Sequence, residues 1–431
     1  MKQPQMNRRS VLKAGAGLAG LAALGLPASA FAQERRLRMY WWGSKERADR
    51  TLQVNKLYQN TYTGVAIDGE TLAWGDYWPR LATQTAGRNA PDVIQMDYRY
   101  IAEYARRGAL LPLDPHVGKG LDLKDFPPSV VDSGKVDGKI YGISLGGNTS
   151  STIYDKDAFA AVGLPPPNLD TDWKAFAKLM AEFTKAAKRP GYFGSQDGGG
   201  LEPIFEGWLR TRGQELYTPD NKLGFGEKDI EEWFAYWADM RASGGCVTPE
   251  LQALDKQNVE NNMLTLGKAA IGFAHSNQLV AFQSLNKSKL AMTSYPTGGP
   301  GAKPGQYIKP SMLFSLSART KEVDEAVRVL NFFVNDVTAG KILGVERGVP
   351  ASAPVLKGIA ESLDDLGRAM ADYIAAMNSR VGPLPQTPPG GAGEIQVLLR
   401  RVNEQIGFDR LKVADGAKLF VSEASRILAR G

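Results

Sequence analysis

The chain has 431 residues, 52 Lys+Arg against 46 Asp+Glu, 43% hydrophobic residues and one cysteine. The single cysteine excludes an intramolecular disulfide, and composition this ordinary belongs to a globular protein. Four of the bases (Lys2, Arg8, Arg9, Lys13) stand in the first 32 residues, which hold no acid, so the rest of the chain carries 48 against 46. That near-neutral balance argues against nucleic acid as a partner.

Residues 1–32 read as an export leader. A basic start through Arg8, Arg9 and Lys13 leads into the apolar, glycine-rich run Ala14–Leu26, and Ala30-Phe31-Ala32 fits an A-x-A cleavage site before Gln33. The run of roughly 13 apolar residues is too short to span a bilayer as a helix. Paired arginines followed by Leu12-Lys13 look like a twin-arginine signal, which implies the periplasm. Gly15-Ala16-Gly17-Leu18-Ala19-Gly20 matches G-x-G-x-x-G but lacks the preceding strand that a dinucleotide site requires. No cysteine follows the leader to take a lipid. About 399 residues remain, more than one growing core accommodates, so two lobes are expected.

Leu37–Trp42 reads as a buried strand. Alternation sets Trp41 with Leu37 and Met39 toward a core, and leaves Trp42 on the other face where Gly43 ends the strand. In open α/β sheets ligands bind at such strand ends, although two core tryptophans fit the pattern as well. A helix follows over Arg47–Asn60. Trp74, Tyr77 and Trp78 form an aromatic cluster that reads as packing. Residues 91–97 give a second strand, and a helix over Ile101–Arg107 stops at Gly108. Strands alternating with helices predict a parallel sheet covered on both faces.

Short strands are expected over Ile140–Leu145 and Ser150–Tyr154. Asp170, Thr171 and Asp172 can cap a helix whose face carries Trp173, Phe176, Met180 and Phe183. Cys246 reads as a small, half-buried residue in a helix-to-strand loop. Glycine-rich loops fall at 194–203, 296–305 and 383–393, none with a phosphate-cradle pattern. Helices close the chain over 323–333, 363–378 and 395–430.

Several segments together resemble the extracellular solute-binding proteins of ABC sugar importers, the group of maltose-binding protein. They are Pro91-Asp92-Val93, residues 108–113, residues 137–143, residues 153–159, Gly163-Leu164-Pro165, Thr171-Asp172-Trp173, Gly267-Lys268-Ala269-Ala270 and Gly348-Val349-Pro350. Their order and spacing run over nearly the whole chain after the leader. The start Trp41-Trp42-Gly43 with Arg47 resembles a subgroup associated with plant-polysaccharide fragments. The resemblance implies a two-lobed α/β periplasmic binding fold, with hinge crossings near 144–147, 294–298 and 344–349. The lobes would be 33–144 plus 298–345, and 145–294 plus 346–431.

Carried over by position, the resemblance implies ligand contacts at Trp42, Ser44 and Arg47 after the first strand, and at Gln95, Asp97 and Tyr98 after the second. Asn148 and Thr149 follow the first crossing, Glu202 and Trp208 follow the 194–203 loop, and His275, Ser276 and Asn277 follow a second-lobe strand. Bland roles stand beside these: a solvated helix start for Arg47, a helix cap for Asp97 and core packing for Trp208. The implied function is capture of a carbohydrate by a monomer and its delivery to a membrane permease, with no catalytic residue, metal or cofactor. The rivals are a periplasmic glycosidase and a binding protein for a non-sugar solute. Only His116 and His275 are present, too far apart for a histidine-rich metal site, and no G-x-S-x-G elbow appears.

Overall fold

The computed structural model describes residues 34–430; the expected leader lies outside the described residues. The unit that begins at Arg35 is built on two sheets. In chain order the strands used below are β1 (Arg35–Trp42), β2 (Val65–Leu72), β3 (Val93–Met96), β4 (Ile143–Ser144), β5 (Gly147–Asn148), β6 (Ser150–Asp155), β7 (Ile271–His275), β8 (Leu290–Thr293), β9 (Lys309–Pro310) and β10 (Leu313–Leu316). The first sheet has the order β2-β1-β3-β10-β4, and the second the order β8-β6-β7.

The expectation of a parallel sheet holds for only part of the first one. β1 runs parallel to β2 and β3, because α1 (Lys45–Thr61) and α2 (Trp74–Ala86) carry the chain back between successive strands. β10 arrives from the far side of the molecule and pairs antiparallel with β3 and β4. The second sheet is antiparallel throughout. α3 (Tyr98–Arg106) follows β3, and α4 (Glu202–Thr211) rises from the 194–203 loop.

Each sheet has its own core. Leu37, Met39 and Trp41 pack with Leu330 and Phe333 of helix Val323–Asn335 around the first sheet. Trp41 packs against β2, and a Cβ at Gly69 would come 2.6 Å from its indole. Trp173, Phe176, Met180 and Phe183 face Trp233 and Trp237 in the second core, closed by helices Ala392–Gly407 and Val413–Leu428. Trp208 belongs to this second core. Cys246 is 1% exposed, deeper than the half-buried position expected, because its loop is pinned by a bridge to Ser195.

Three chain segments lie side by side between the sheets. Gly147 and Val349 exchange backbone hydrogen bonds of 2.9 and 3.0 Å, β5 pairs with β9, and Ser311 N donates to Gly146 O at 2.8 Å. Residues 294–298, expected as a crossing, stay beside the second sheet instead. There Thr297 N donates to Thr171 O and Trp173 N donates to Thr297 O. Close packing of Gly298 and Gly305 against Thr211 holds the loop there, and the chain crosses through Lys309–Ser311.

Candidate functional site

Two cavities open between the sheets at the C-terminal ends of β1 and β3. The first, of about 180 Å³, is bordered by Trp42, Ser44, Arg47, Asp97, Asn148, His275 and Asn277. The second, of about 220 Å³, is bordered by Asp97, Tyr98, Glu202, Glu206, Tyr307 and Lys309. Asp97 and Arg99 stand between them and line both.

In the first chamber the end of β1 supplies an aromatic wall. Trp42 meets Trp74 and Tyr77 edge to face, with ring centroids 5.0 and 5.2 Å apart, and is 8% exposed. It therefore closes the core and borders the chamber at once. Ser44 caps α1, its Oγ accepting from Arg47 N at 3.3 Å. Arg47 is no solvated helix-start residue. It is 5% exposed, pairs with Glu346 at 2.8 Å and donates to Trp42 O at 3.1 Å. Its charge is thus already matched within the protein.

The opposite wall is polar. Asn148 Nδ2 donates to Asn277 Oδ1 at 2.6 Å, and Asn277 Nδ2 donates to Glu346 O at 2.8 Å. Asn148 Oδ1 and His275 Nδ1 are buried with no hydrogen-bond partner among the described residues. Burial, reinforced by Lys309, pushes the His275 imidazole down to about 3, so the ring is neutral at ordinary pH. Buried polar atoms left unpaired cost free energy, and these two border the space where a ligand would pair them.

The second chamber is charged. Asp97 caps α3 through Arg99 N at 2.9 Å and also meets Lys309 Nζ at 3.3 Å, so the cap and the chamber roles coexist. Burial raises the Asp97 carboxyl, but Lys309 and Arg99 outweigh it and hold the group below its ordinary value. Glu202 pairs with Arg99 at 2.8 Å, and Tyr98 Oη donates to Pro385 O at 3.1 Å. Burial, with the neighbouring Glu202 adding to it, raises Glu206 to about 7.

Four expected contacts line neither chamber. Gln95 is fully buried behind the wall, where Nε2 donates to Trp42 O at 3.0 Å and Oε1 accepts from Arg347. Thr149 is spent on Tyr307 O at 2.8 Å, Ser276 lies beneath His275, and Trp208 is core. Gln95 on β3 and Trp208 on α4 point into the packed layers rather than outward.

Sequence reasoning passed over Arg99, Glu346 and the loop residues Asp255 and Gln257, and read Trp74 as packing, yet all of these border the first chamber. Arg99 had a signal, since it follows Asp97 by two residues at a helix start facing the cleft. Glu346 had none: its place depends on Arg47, 299 residues earlier.

A family model described as bacterial extracellular solute-binding protein matches residues 54–363. An extracellular solute-binding protein family 1 structure from Alicyclobacillus acidocaldarius is 31% identical, with TM-score 0.63 over 91% of this chain and 98% of the other. A periplasmic oligogalacturonide binding protein from Yersinia enterocolitica, in complex with saturated digalacturonic acid, superimposes with TM-score 0.82 at 23% identity. That match covers 92% of this chain and 99% of that one, and at this identity it shows the fold alone. An uncharacterised ABC transporter extracellular-binding protein from Pyrococcus horikoshii is 28% identical over 176 residues, 40% of this chain and 40% of the relative.

Proposed function

Because the chain belongs to the bacterial extracellular solute-binding protein family, we propose that it captures a carbohydrate outside the cytoplasmic membrane and hands it to an ABC permease. The observation that carries this reading is the first chamber. Trp42 and Trp74 border it, as do Asn148 and His275, each of which keeps a buried side-chain atom without a partner among the described residues. A sugar ring needs both: an aromatic surface for its C–H face and fixed hydrogen-bond partners for its hydroxyls. The Yersinia enterocolitica relative, solved with digalacturonic acid, supports the substrate class, and the Pyrococcus horikoshii relative supports the transporter.

In this reading the protein is exported by a cleaved twin-arginine leader, works as a periplasmic monomer and carries out no chemical step. The lobes part at the three segments 146–148, 309–311 and 346–349, and the ligand bridges them. Closure is a population shift, set by the difference in ligand affinity between open and closed forms. Moving from 1:99 to 99:1 takes about 5.5 kcal/mol of such difference.

The test is a thermal-shift screen of mature protein against neutral and charged mono- and oligosaccharides, with each mixture assayed for product. A ligand at a hundredfold excess over Kd stabilises the fold by about 2.7 kcal/mol, without turnover. Product formed by the purified protein would sink the reading in favour of a glycosidase.

A further inference from the structure

Resting on that carbohydrate reading and narrowing it, we propose that the second chamber takes a cationic group of the ligand, an ammonium such as an amino sugar carries, held by Glu206 and Glu202. Four carboxylates and three cations border this chamber. Three of the acids are matched: Asp97 by Lys309 at 3.3 Å, Glu202 by Arg99 at 2.8 Å and Glu215 by Arg210 at 2.5 Å. Glu206 has no ion-pair partner among the described residues. Its one side-chain hydrogen bond among the described residues is from Tyr307 Oη to Oε2 at 2.6 Å, which leaves Oε1 without a protein donor there.

The second observation is Glu202, which is 3% exposed and lines the same chamber. Arg99 occupies only its Oε1, and Oε2 is buried without a partner. The chamber is thus bordered by two residues a helical turn apart on α4, each with a carboxylate oxygen that has no protein donor among the described residues. Among the described residues each of the three cations is already paired with one of the acids, and Arg210 Nε is the guanidinium donor left without a partner. A uronate here would meet acids whose cations are engaged, whereas an ammonium supplies three donors where two acceptors wait.

The charged and titratable groups facing Glu206 come from every side. Glu202 and Arg210 lie on its own helix, Arg99 on α3, and Tyr307 before β9. Tyr98 and Tyr217 lie within its electrostatic reach. Burial and Glu202 keep its carboxyl protonated up to about 7. An arriving ammonium favours the carboxylate, so binding near neutral pH releases a proton from Glu206 to solvent.

The experiment is calorimetric titration of wild-type protein at pH 7 with chitosan disaccharide, its di-N-acetylated form, cellobiose, digalacturonate and spermidine. The inference expects chitosan disaccharide to bind at least about tenfold more tightly than the N-acetylated and neutral sugars. It also expects proton release, read from the dependence of the binding heat on buffer ionisation enthalpy. In Glu206→Gln that preference should fall to about unity. Equal binding of aminated and acetylated sugars, or preference for digalacturonate, overturns the inference and leaves the carbohydrate reading standing. Binding of spermidine with no sugar bound overturns the carbohydrate reading and keeps the cation site. Silence from all five ligands overturns both. The wild-type affinity ratio decides the matter even if the variant fails to fold.

Discussion

Arg99, at the start of α3 beside the first sheet, grips Glu202, the first residue of α4 on the second core, at 2.8 Å with both side chains nearly sealed from water. The pair ties together segments 103 residues apart, and Arg99, with Asp97, stands between the two chambers.

Replacing Arg99 with Met should destabilise the protein by about 3–5 kcal/mol, because Glu202 would stay buried with its cation gone. Urea unfolding at pH 7 measures the loss. Combining Arg99→Met with Glu202→Gln should recover part of it, and no recovery would mean that the damage lies in packing.

Trp74→Ala and Trp42→Ala should separate binding from folding. Trp74 is partly exposed and borders the chamber, so its loss should weaken sugar binding by about 0.5–1.5 kcal/mol beyond the lost contact area. Trp42 also packs on Trp74, Tyr77 and Trp78, so its truncation should in addition lower stability by about 3–5 kcal/mol. Paired melting and titration curves for the two variants test this. Equal destabilisation by both would refute the division of labour.

The contrast between these two tryptophans shows what the sequence could carry. Strand alternation separates Trp41 from Trp42 correctly, because a period of two is a local property. Alternation cannot say that Trp42 is also clamped by a helix thirty residues on. The caps at Asp97 and Asp172 are legible for the same local reason. Arg47 is not, since its state depends on Glu346 arriving from the last crossing. Gln95 looked like a site residue from its place at a strand end. It is drawn inward by Arg347 and the Trp42 carbonyl, partners that chain order does not reveal.

Stability should depend on pH through two groups of opposite sign. His275 in the fold refuses a proton down to about 3, while the unfolded chain takes one near 6.5. The stability it contributes is present above 6.5 and lost as pH falls through 3. Glu206 is raised to about 7 from 4.5, so its contribution is present below 4.5 and lost as pH rises through 7. His275→Gln should flatten the acid limb and Glu206→Gln the neutral one. Urea midpoints between pH 4 and 8 check both, and parallel curves for wild type and variants would contradict them.

Gly69→Ala should cost about 1–3 kcal/mol, since the added methyl would strike the Trp41 indole in a filled layer. Trp41→Phe in the same background should relieve part of the loss. Thermal melts of the two variants settle the point; a neutral Gly69→Ala would mean that the indole has room to retreat.

The lone cysteine has a practical consequence. Cys246 is buried and its thiol is pushed well up by that burial, so the thiolate that alkylating reagents attack is scarce in the folded state. The protein is in effect blank to thiol-directed dyes. Cysteines placed at exposed positions such as Leu52→Cys on α1 and Leu266→Cys before β7, one beside each sheet, would accept a donor and an acceptor without background labelling. Closure would then be read as a change in energy transfer, molecule by molecule, before any ligand has been named.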